Sequence, residues 1–531
     1  MRIITFLLLV FVTVNLSASD RYPAGNIDVL HYEFSIFLSD SSDLIRAEAA
    51  IRLIHTAAAG QIILDLTGRG EDGRGMRVKQ VKSGNIPAEW EHTDDRLLVM
   101  LPEEKAKGDT SVIYISYYGV PADGLIISNN RYGDRTFFAD NWPDRARNWI
   151  PCIDHPSDKA TVDFKVYAPA RYKVVSNGFL YEESILPGGN TLTHWKEEIS
   201  IPTKVMVIGV AEFAVRLAAR AGDINIWSYV FPEDREQGFY DYSVAVDPYN
   251  WYSEKIGPYA YEKLANVQSK TMFGGMENAG CIFYSERSVT GQGKAERLIA
   301  HEIAHQWFGN SVTEQDWHHI WLSEGFATYL TALYQGYKEG EAKLADVMTI
   351  SRQRVLAYYD RNPSPVVDTT IFDFMRLLST NSYQKGAWVL HMLKNKTGDD
   401  IFWEGMQTYY ARYRNSNALT SDFKETMAEV SGMELDDFFH QWLFLSGHPV
   451  VDISWTYDDR SNELSVLVEQ LQDGHIFEFP LELQIKGSSG ERLEDVFINR
   501  ASQTFIFSSD SPPDKVIADP GVKLLFEDRS R

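Results

Sequence analysis

His301 and His305, in the stretch KAERLIAHEIAHQWFGN, stand four residues apart, and Glu302 directly follows the first of them. On a helix this spacing sets two imidazoles one turn apart on the same side, where both reach a single cation. Glu302 then falls about 100° round the helix, beside the metal, where its carboxylate can take a proton from water. Two nitrogen donors and a neighbouring base are the parts of a zinc peptidase centre. Catalytic zinc wants a third protein ligand and keeps a fourth position open. The longer pattern, with Gly three and His six residues past the second histidine, is excluded because those positions are Phe308 and Ser311. Glu324 stands at the start of the helix-compatible run FATYLTALY, with eighteen residues between it and His305, which leaves room for one helix to end and a second to begin against it. His318 and His319 lie closer in sequence and also carry donors that zinc accepts.

Apolar residues at helical spacing, Leu298, Ile299, Ala300, Ile303, Ala304, Trp307 and Phe308, predict a half-buried helix around the histidines, stopped at Gly309-Asn310. Before it, from about residue 27 to 213, compact or alternating apolar segments such as HYEFSIFL, AAIRLIH, QIILDL, LLVMLP, SVIYISYYG, TVDFKVYAP and TKVMVIGV are separated by Gly, Asp, Asn and Pro. They predict an N-terminal all-β domain. The aromatic and charged segment DNWPDRARNWIPCIDHPSDKAT within it reads as a functional loop. From about 214 the strand-like IWSYVF and NVQSK give way to helices near 340–360, 380–395, 400–413 and 421–443. Strand texture returns after Ser446 in VVDISWTY, ELSVLVEQ, FEFPLELQIK, DVFI, QTFIFS and KLLF, enough for a small β-sandwich. The expected division is therefore a leader over residues 1–19, a β domain over 20–213, a mainly helical domain over 214–446 and a β-sandwich over 447–531, a multidomain α+β chain.

With eighteen residues separating its glutamate from the histidine pair, the sequence resembles the M1 gluzincin metallopeptidases, the group that includes aminopeptidase N and leukotriene A4 hydrolase. GGMEN at 274–278 is similar to that family's peptide-binding G-x-M-E-N motif, and Tyr383 in SYQKG resembles its catalytic tyrosine. The resemblance covers most of the chain after the leader. It implies a thermolysin-like catalytic domain with one zinc held by His301, His305 and Glu324, Glu302 as general base, and Tyr383 as hydrogen-bond donor to the oxyanion. Gly274, Gly275, Met276, Glu277 and Asn278 would bind the peptide, with the glycines admitting its backbone and Glu277 facing the α-ammonium group. Read without the family, GGMEN is a glycine turn between strands.

The implied activity is that of an aminopeptidase acting on peptides with a free N-terminus. An endopeptidase or an epoxide hydrolase would use the same zinc. A peptide-binding module with a relic site is the reading from a different class, and the intact Glu302 and ligand set argue against it. Two positions depart from the family pattern. Trp142 stands where many relatives place Gln or Glu five residues before the arginine corresponding to Arg147, with Asp140 or Asn141 as substitutes for that amine contact. His319 stands where relatives carry an Asp five residues before the glutamate ligand. Many relatives also continue into a large helical domain for which this sequence has no residues, so a more open cleft is expected.

MRIITFLLLVFVTVNLSAS opens the chain with Arg2, an apolar run and then small residues, the pattern of a secretory signal cleaved near Ser19. A secreted or periplasmic protein without a membrane span after cleavage is expected. The net charge of −23 would repel nucleic acid and excludes a phosphate-binding basic surface. Cys152 and Cys281 are expected to remain buried thiols. Nothing in the sequence fixes the oligomeric state.

Overall fold

The structure is a computed structural model and describes residues 25–488 and 490–530. The expected leader lies outside the described residues.

The N-terminal part is β-rich. Its largest sheet has eight strands, with Ile27–Phe37 at the centre, antiparallel to Ile45–His55 on one side and parallel to Lys159–Pro169 on the other. In Ile45–His55 every second residue from Ile45 to Leu53 is buried, as a sheet with one covered face requires. In Ile27–Phe37 the buried set runs Ile27, Val29, then Tyr32, Phe34, Ile36. The change of phase coincides with a bulge between Val29 and His31, which supplies the extra residue needed to return the side chains to the core. Sheets of four and three strands complete this part. Of the expected TKVMVIGV strand only Ile208–Ala211 pairs; Thr203–Val205 forms a 3-10 turn because Asn141 Nδ2 donates to the carbonyls of Thr203 and Met206.

A five-stranded sheet follows, ordered Ala214–Ala221, Ile224–Val230, Lys263–Ser269, Cys281–Ser285 and, at its edge, Gly275–Met276. The helices are α1 (Arg235–Tyr242), α2 (Val246–Lys255), α3 (Glu296–Ala304), α4 (Trp321–Glu339), α5 (Glu341–Tyr359), α6 (Gly386–Thr397), α7 (Asp399–Tyr413), α8 (Thr420–Ser431) and α9 (Asp436–Phe439). The expected helix over 421–443 is broken because Gly432 takes a left-handed conformation, φ +67°, that ends α8. Helix α3 also stops earlier than its apolar spacing suggested. After Ala304 the amides of Gln306 and Trp307 bond three residues back, tightening the chain before Gly309.

Two sheets of four and three strands form the C-terminal part. The KLLF segment is not one of their strands. Leu524, Leu525 and Phe526 are all buried, a pattern that alternation cannot produce; His391 Nε2 donates to the Val522 carbonyl, and the Arg352 guanidinium lies 5.1 Å from the Phe526 ring centre. The segment thus anchors on the helical region, and Lys515–Ala518 supplies the strand instead. Cys152 and Cys281 are both buried and unpaired.

Candidate functional site

Helix α3 buries Ile299, Ala300, Ile303 and Ala304, and this fixes its rotation so that His301 and His305 face α4. Glu324 sits in the first turn of α4. Their donor atoms converge: His301 Nε2 and His305 Nε2 are 3.2 Å apart, and Glu324 Oε2 lies 3.6 and 3.3 Å from them. Tetrahedral coordination at about 2.0–2.1 Å separates ligand atoms by about 3.3–3.4 Å, so the spacing fits one divalent cation. The chemistry agrees. Glu324 Oε2 is buried without a hydrogen-bond partner, and His305 Nδ1 faces Ser323 Oγ at 3.0 Å and the Phe308 carbonyl at 3.3 Å. A carbonyl only accepts, so Nδ1 carries the proton and the Nε2 lone pair points into the site.

The charges show the same demand. Burial would raise Glu324 and lower His305, yet the histidines hold Glu324 far below the carboxylate range, while Glu324, Glu277 and Glu302 lift His305 to about 9. Three carboxylates thus crowd two imidazoles, an arrangement that a divalent cation neutralises. His318 and His319 stand apart: His318 bonds Asp316 and the Ile371 carbonyl, and His319 Nδ1 lies 2.7 Å from Thr420 Oγ1. Ser323 Oγ and the Phe308 carbonyl, not residue 319, face His305 Nδ1.

Glu302 is buried, with a carboxylate oxygen within 4.8 Å of donor atoms of Glu277 and His305. Burial pushes it well above the usual carboxylate range, Glu277 and Glu324 adding to the effect and His305 opposing it. Gly275 makes the arrangement possible. A Cβ there would sit 2.5 Å from Glu302 Cδ and 2.6 Å from Cγ, whereas at Gly274 the nearest atom would be Leu298 Cδ1 at 3.8 Å.

The GGMEN segment is gripped by the chain that follows α3. Gln306 Nε2 and Asn310 Nδ2 both donate to the Glu277 carbonyl, at 2.8 and 2.5 Å, and Gln306 Oε1 accepts from the Gly280 amide at 2.9 Å. This holds the Glu277 side chain beside Glu302, with Oε1 buried and unpartnered. Met276 is buried, and Asn278 is fully buried with neither amide atom bonded.

Tyr383 lies in a π turn, Asn381–Lys385, that leads into α6. A Cβ on Gly325 would be 3.0 Å from Gly386 Cα, so α4 and α6 cross backbone to backbone. One glycine follows Glu324 and the other lies three residues past Tyr383, and the crossing sets the tyrosine ring over His301, centres 6.1 Å apart and planes 14° from parallel. Burial, reinforced by Glu324 and Glu277, pushes the phenol well above its ordinary range, so it remains a donor at neutral pH.

Trp142 is packed edge-on against Phe273 and Trp317. With Phe273, Met276 and Leu378 it walls the recess in which Glu277, Glu302 and Tyr383 meet. The proposed substitutes at Asp140 and Asn141 are both committed elsewhere. Asp140 accepts from Arg145, Thr271 Oγ1 and the Met272 amide; Asn141 holds Thr203, Met206 and the Trp149 indole. Glu277 is left as the carboxylate that faces the recess from the GGMEN segment.

Residues 240–442 match the profile of the Peptidase family M1 domain, and residues 29–205 that of the Peptidase M1 N-terminal domain. The chain belongs to peptidase family M1. Among M1 relatives, it is 28% identical over 330 residues to glutamyl aminopeptidase of Sus scrofa, an overlap of 59% of this chain and 35% of that protein. It is 26% identical over 451 residues to probable aminopeptidase 1 of Sulfurisphaera tokodaii, 80% of this chain and 55% of that one. The chain therefore spans between about a third and a little over half of the relatives it matches. In fold it resembles the crystal structure of Legionella pneumophila aminopeptidase A in complex with aspartic acid, with TM-score 0.83 and 17% identity over 97% of this chain and 61% of that one. Among the described residues, no helix is long and apolar enough to cross a membrane.

Proposed function

We propose that this M1 chain is a zinc-dependent aminopeptidase that removes N-terminal residues from peptides, and that it does so outside the cytoplasm, with residues 1–19 read as a secretory leader. The observation that carries this reading is the unpartnered, buried carboxylate of Glu277 beside Glu302 and the three-donor cluster. An α-ammonium group would satisfy it, and that contact registers the first peptide bond over Glu302.

When bound by His301, His305 and Glu324, one zinc per chain supplies a Lewis acid that acidifies water and polarises the scissile carbonyl. Glu302 takes the proton of the attacking water and returns it to the departing amine. The Tyr383 hydroxyl donates to the oxygen on which negative charge develops. Gly274 and Gly275 let the peptide backbone lie against the edge strand. The architecture is read as an N-terminal β domain, a thermolysin-like catalytic domain and a C-terminal β-sandwich, divided near residues 213 and 446.

Trp142, Phe273, Met276 and Leu378 favour an apolar first side chain; among the described residues lining the recess there is no lysine or arginine to select an acidic one. The test is mass spectrometry of products from matched peptides, one with a free N-terminus and one acetylated, with zinc-loaded protein. Stepwise loss of leucine or phenylalanine from the free peptide alone is expected. Internal cleavage of both peptides would overturn the aminopeptidase reading while keeping the metal chemistry.

A further inference from the structure

A second cavity, of about 480 Å³, adjoins the metal centre and shares with the Glu277 recess only His301 and Tyr383. Its size is that of a ligand pocket, typically about 300–1,000 Å³. Glu277 lies on the far side of those two residues. If the amino terminus of the substrate sits at Glu277, the bond to be cut lies over the metal donors, and the departing part of the peptide leads into this second cavity.

The walls carry a distinct chemistry. Leu298 of α3 and Val347 and Ile350 of α5 are apolar, but Arg297, Lys343 and Arg354 also line the cavity against a single acid, Asp346. In a chain of net charge −23 this is a local positive island at the edge of the site. Lys343 pairs with Glu339 at 3.2 Å; the guanidinium groups of Arg297 and Arg354 make no hydrogen bond or ion pair with any described residue. Ser351, only 8% exposed, also lines the cavity, and its Oγ is buried without a partner, as is Oε1 of Gln335. A hydroxyl donor, a carbonyl acceptor and two free guanidinium groups are suited to a peptide segment bearing a carboxylate.

Resting on the aminopeptidase reading, we propose that this cavity seats the departing part of the peptide and selects a carboxylate there. The carboxylate is either an acidic second side chain or the terminal group of a short peptide. Recognition is then split across the metal, apolar for the residue released and anionic for the fragment that leaves.

The experiment measures kcat/KM of the zinc-loaded full chain on four peptides that share an N-terminal leucine: Leu-Gly-Gly amide, Leu-Glu-Gly amide, Leu-Lys-Gly amide and Leu-Gly-Gly with a free carboxylate. A carboxylate-bearing peptide should exceed the neutral amide by about tenfold at low salt, and the advantage should shrink as ionic strength rises. Preference for the glutamate amide assigns the side chain, and preference for free Leu-Gly-Gly assigns the terminus. Arg354→Ala should bring the ratio toward one, and Arg354→Glu should turn it toward the lysine peptide. Equal kcat/KM on all four peptides, or a ratio unmoved by both Arg354→Glu and Arg297→Glu, would overturn the carboxylate assignment and leave the aminopeptidase reading intact. Release of leucine from none of the four would overturn that reading, and the assignment of the cavity with it.

Discussion

Replacing Gly275 with alanine tests the placement of the general base without touching a metal ligand. The added Cβ would lie 2.5 Å from Glu302 Cδ and 2.6 Å from Cγ and would also meet Oε1. Carbon atoms in contact prefer about 3.5–4.0 Å, so the Glu302 side chain must retreat by about 1 Å. It is 4% exposed and has little room to do so elsewhere. A displacement of about 1 Å at a reacting group costs on the order of 100-fold in rate, equivalent to about 2.7 kcal/mol of barrier. The assay is kcat on an N-terminal leucine peptide, with zinc content and thermal midpoint measured on the same samples. Gly274→Ala is the internal control, since its Cβ meets only Leu298 Cδ1 at 3.8 Å. A Gly275→Ala protein with kcat within about threefold of the parent would show that Glu302 is not the base held in this position. Equal losses in both variants would point to a disturbance of the GGMEN segment as a whole instead.

Glu302→Gln should lower kcat by roughly 10²–10⁴-fold while elemental analysis still finds one zinc per chain; loss of the metal would mean that the residue serves as a ligand. Tyr383→Phe keeps the ring over His301 and removes the donor, so kcat should fall by about 10²–10³-fold with little change in thermal midpoint. A parallel loss of stability would mark a packing role. For pH, His391 is buried, its Nδ1 3.0 Å from the Tyr329 hydroxyl and its Nε2 2.8 Å from the Val522 carbonyl, and burial lowers it to about 4. Its ordinary value near 6.5 governs the unfolded chain, so its contribution is complete above about pH 6.5 and is lost as pH falls toward 4. That loss amounts to about 3 kcal/mol. Urea midpoints between pH 7 and 4 should therefore fall less steeply in His391→Gln than in the parent, and parallel profiles would refute the assignment.

The convergence of the two candidate metal-donor histidines was legible because it depends on local geometry: two residues four apart on a helix must share a face whatever surrounds them. Glu324 needed more, since spacing alone left His318 and His319 in competition; the packing of α3 on α4 brings Glu324 to the histidines, while His318 and His319 bond elsewhere. Ser323, Gln306 and Asn310 were not legible as site residues. A serine before a glutamate, or an amide after a helix, acquires a role only when tertiary structure brings His305 or the Glu277 carbonyl to it. The same reason explains the C-terminal error. KLLF has the composition of a strand, but its consecutive buried side chains answer to the helical region and not to a sheet neighbour. Trp142 was visible as a departure from a pattern, whereas its position in the wall of the recess required the partners Phe273 and Trp317.

The central position of Ile27–Phe37 in the eight-stranded sheet has a consequence for how the chain reaches its native state. On one side its partner, Ile45–His55, arrives almost at once; on the other, His31 pairs with Thr161 and Phe37 with Tyr167, about 130 residues later. Until Lys159–Pro169 is available, Ile27–Phe37 presents an open edge between apolar side chains, the kind of surface that recruits other strands. The long loop that must close before this parallel pairing forms makes the step slow. Completion of the β-rich part therefore waits on Lys159–Pro169, whereas the wall around Trp142 waits longer still, for Phe273 and Trp317 from the catalytic region.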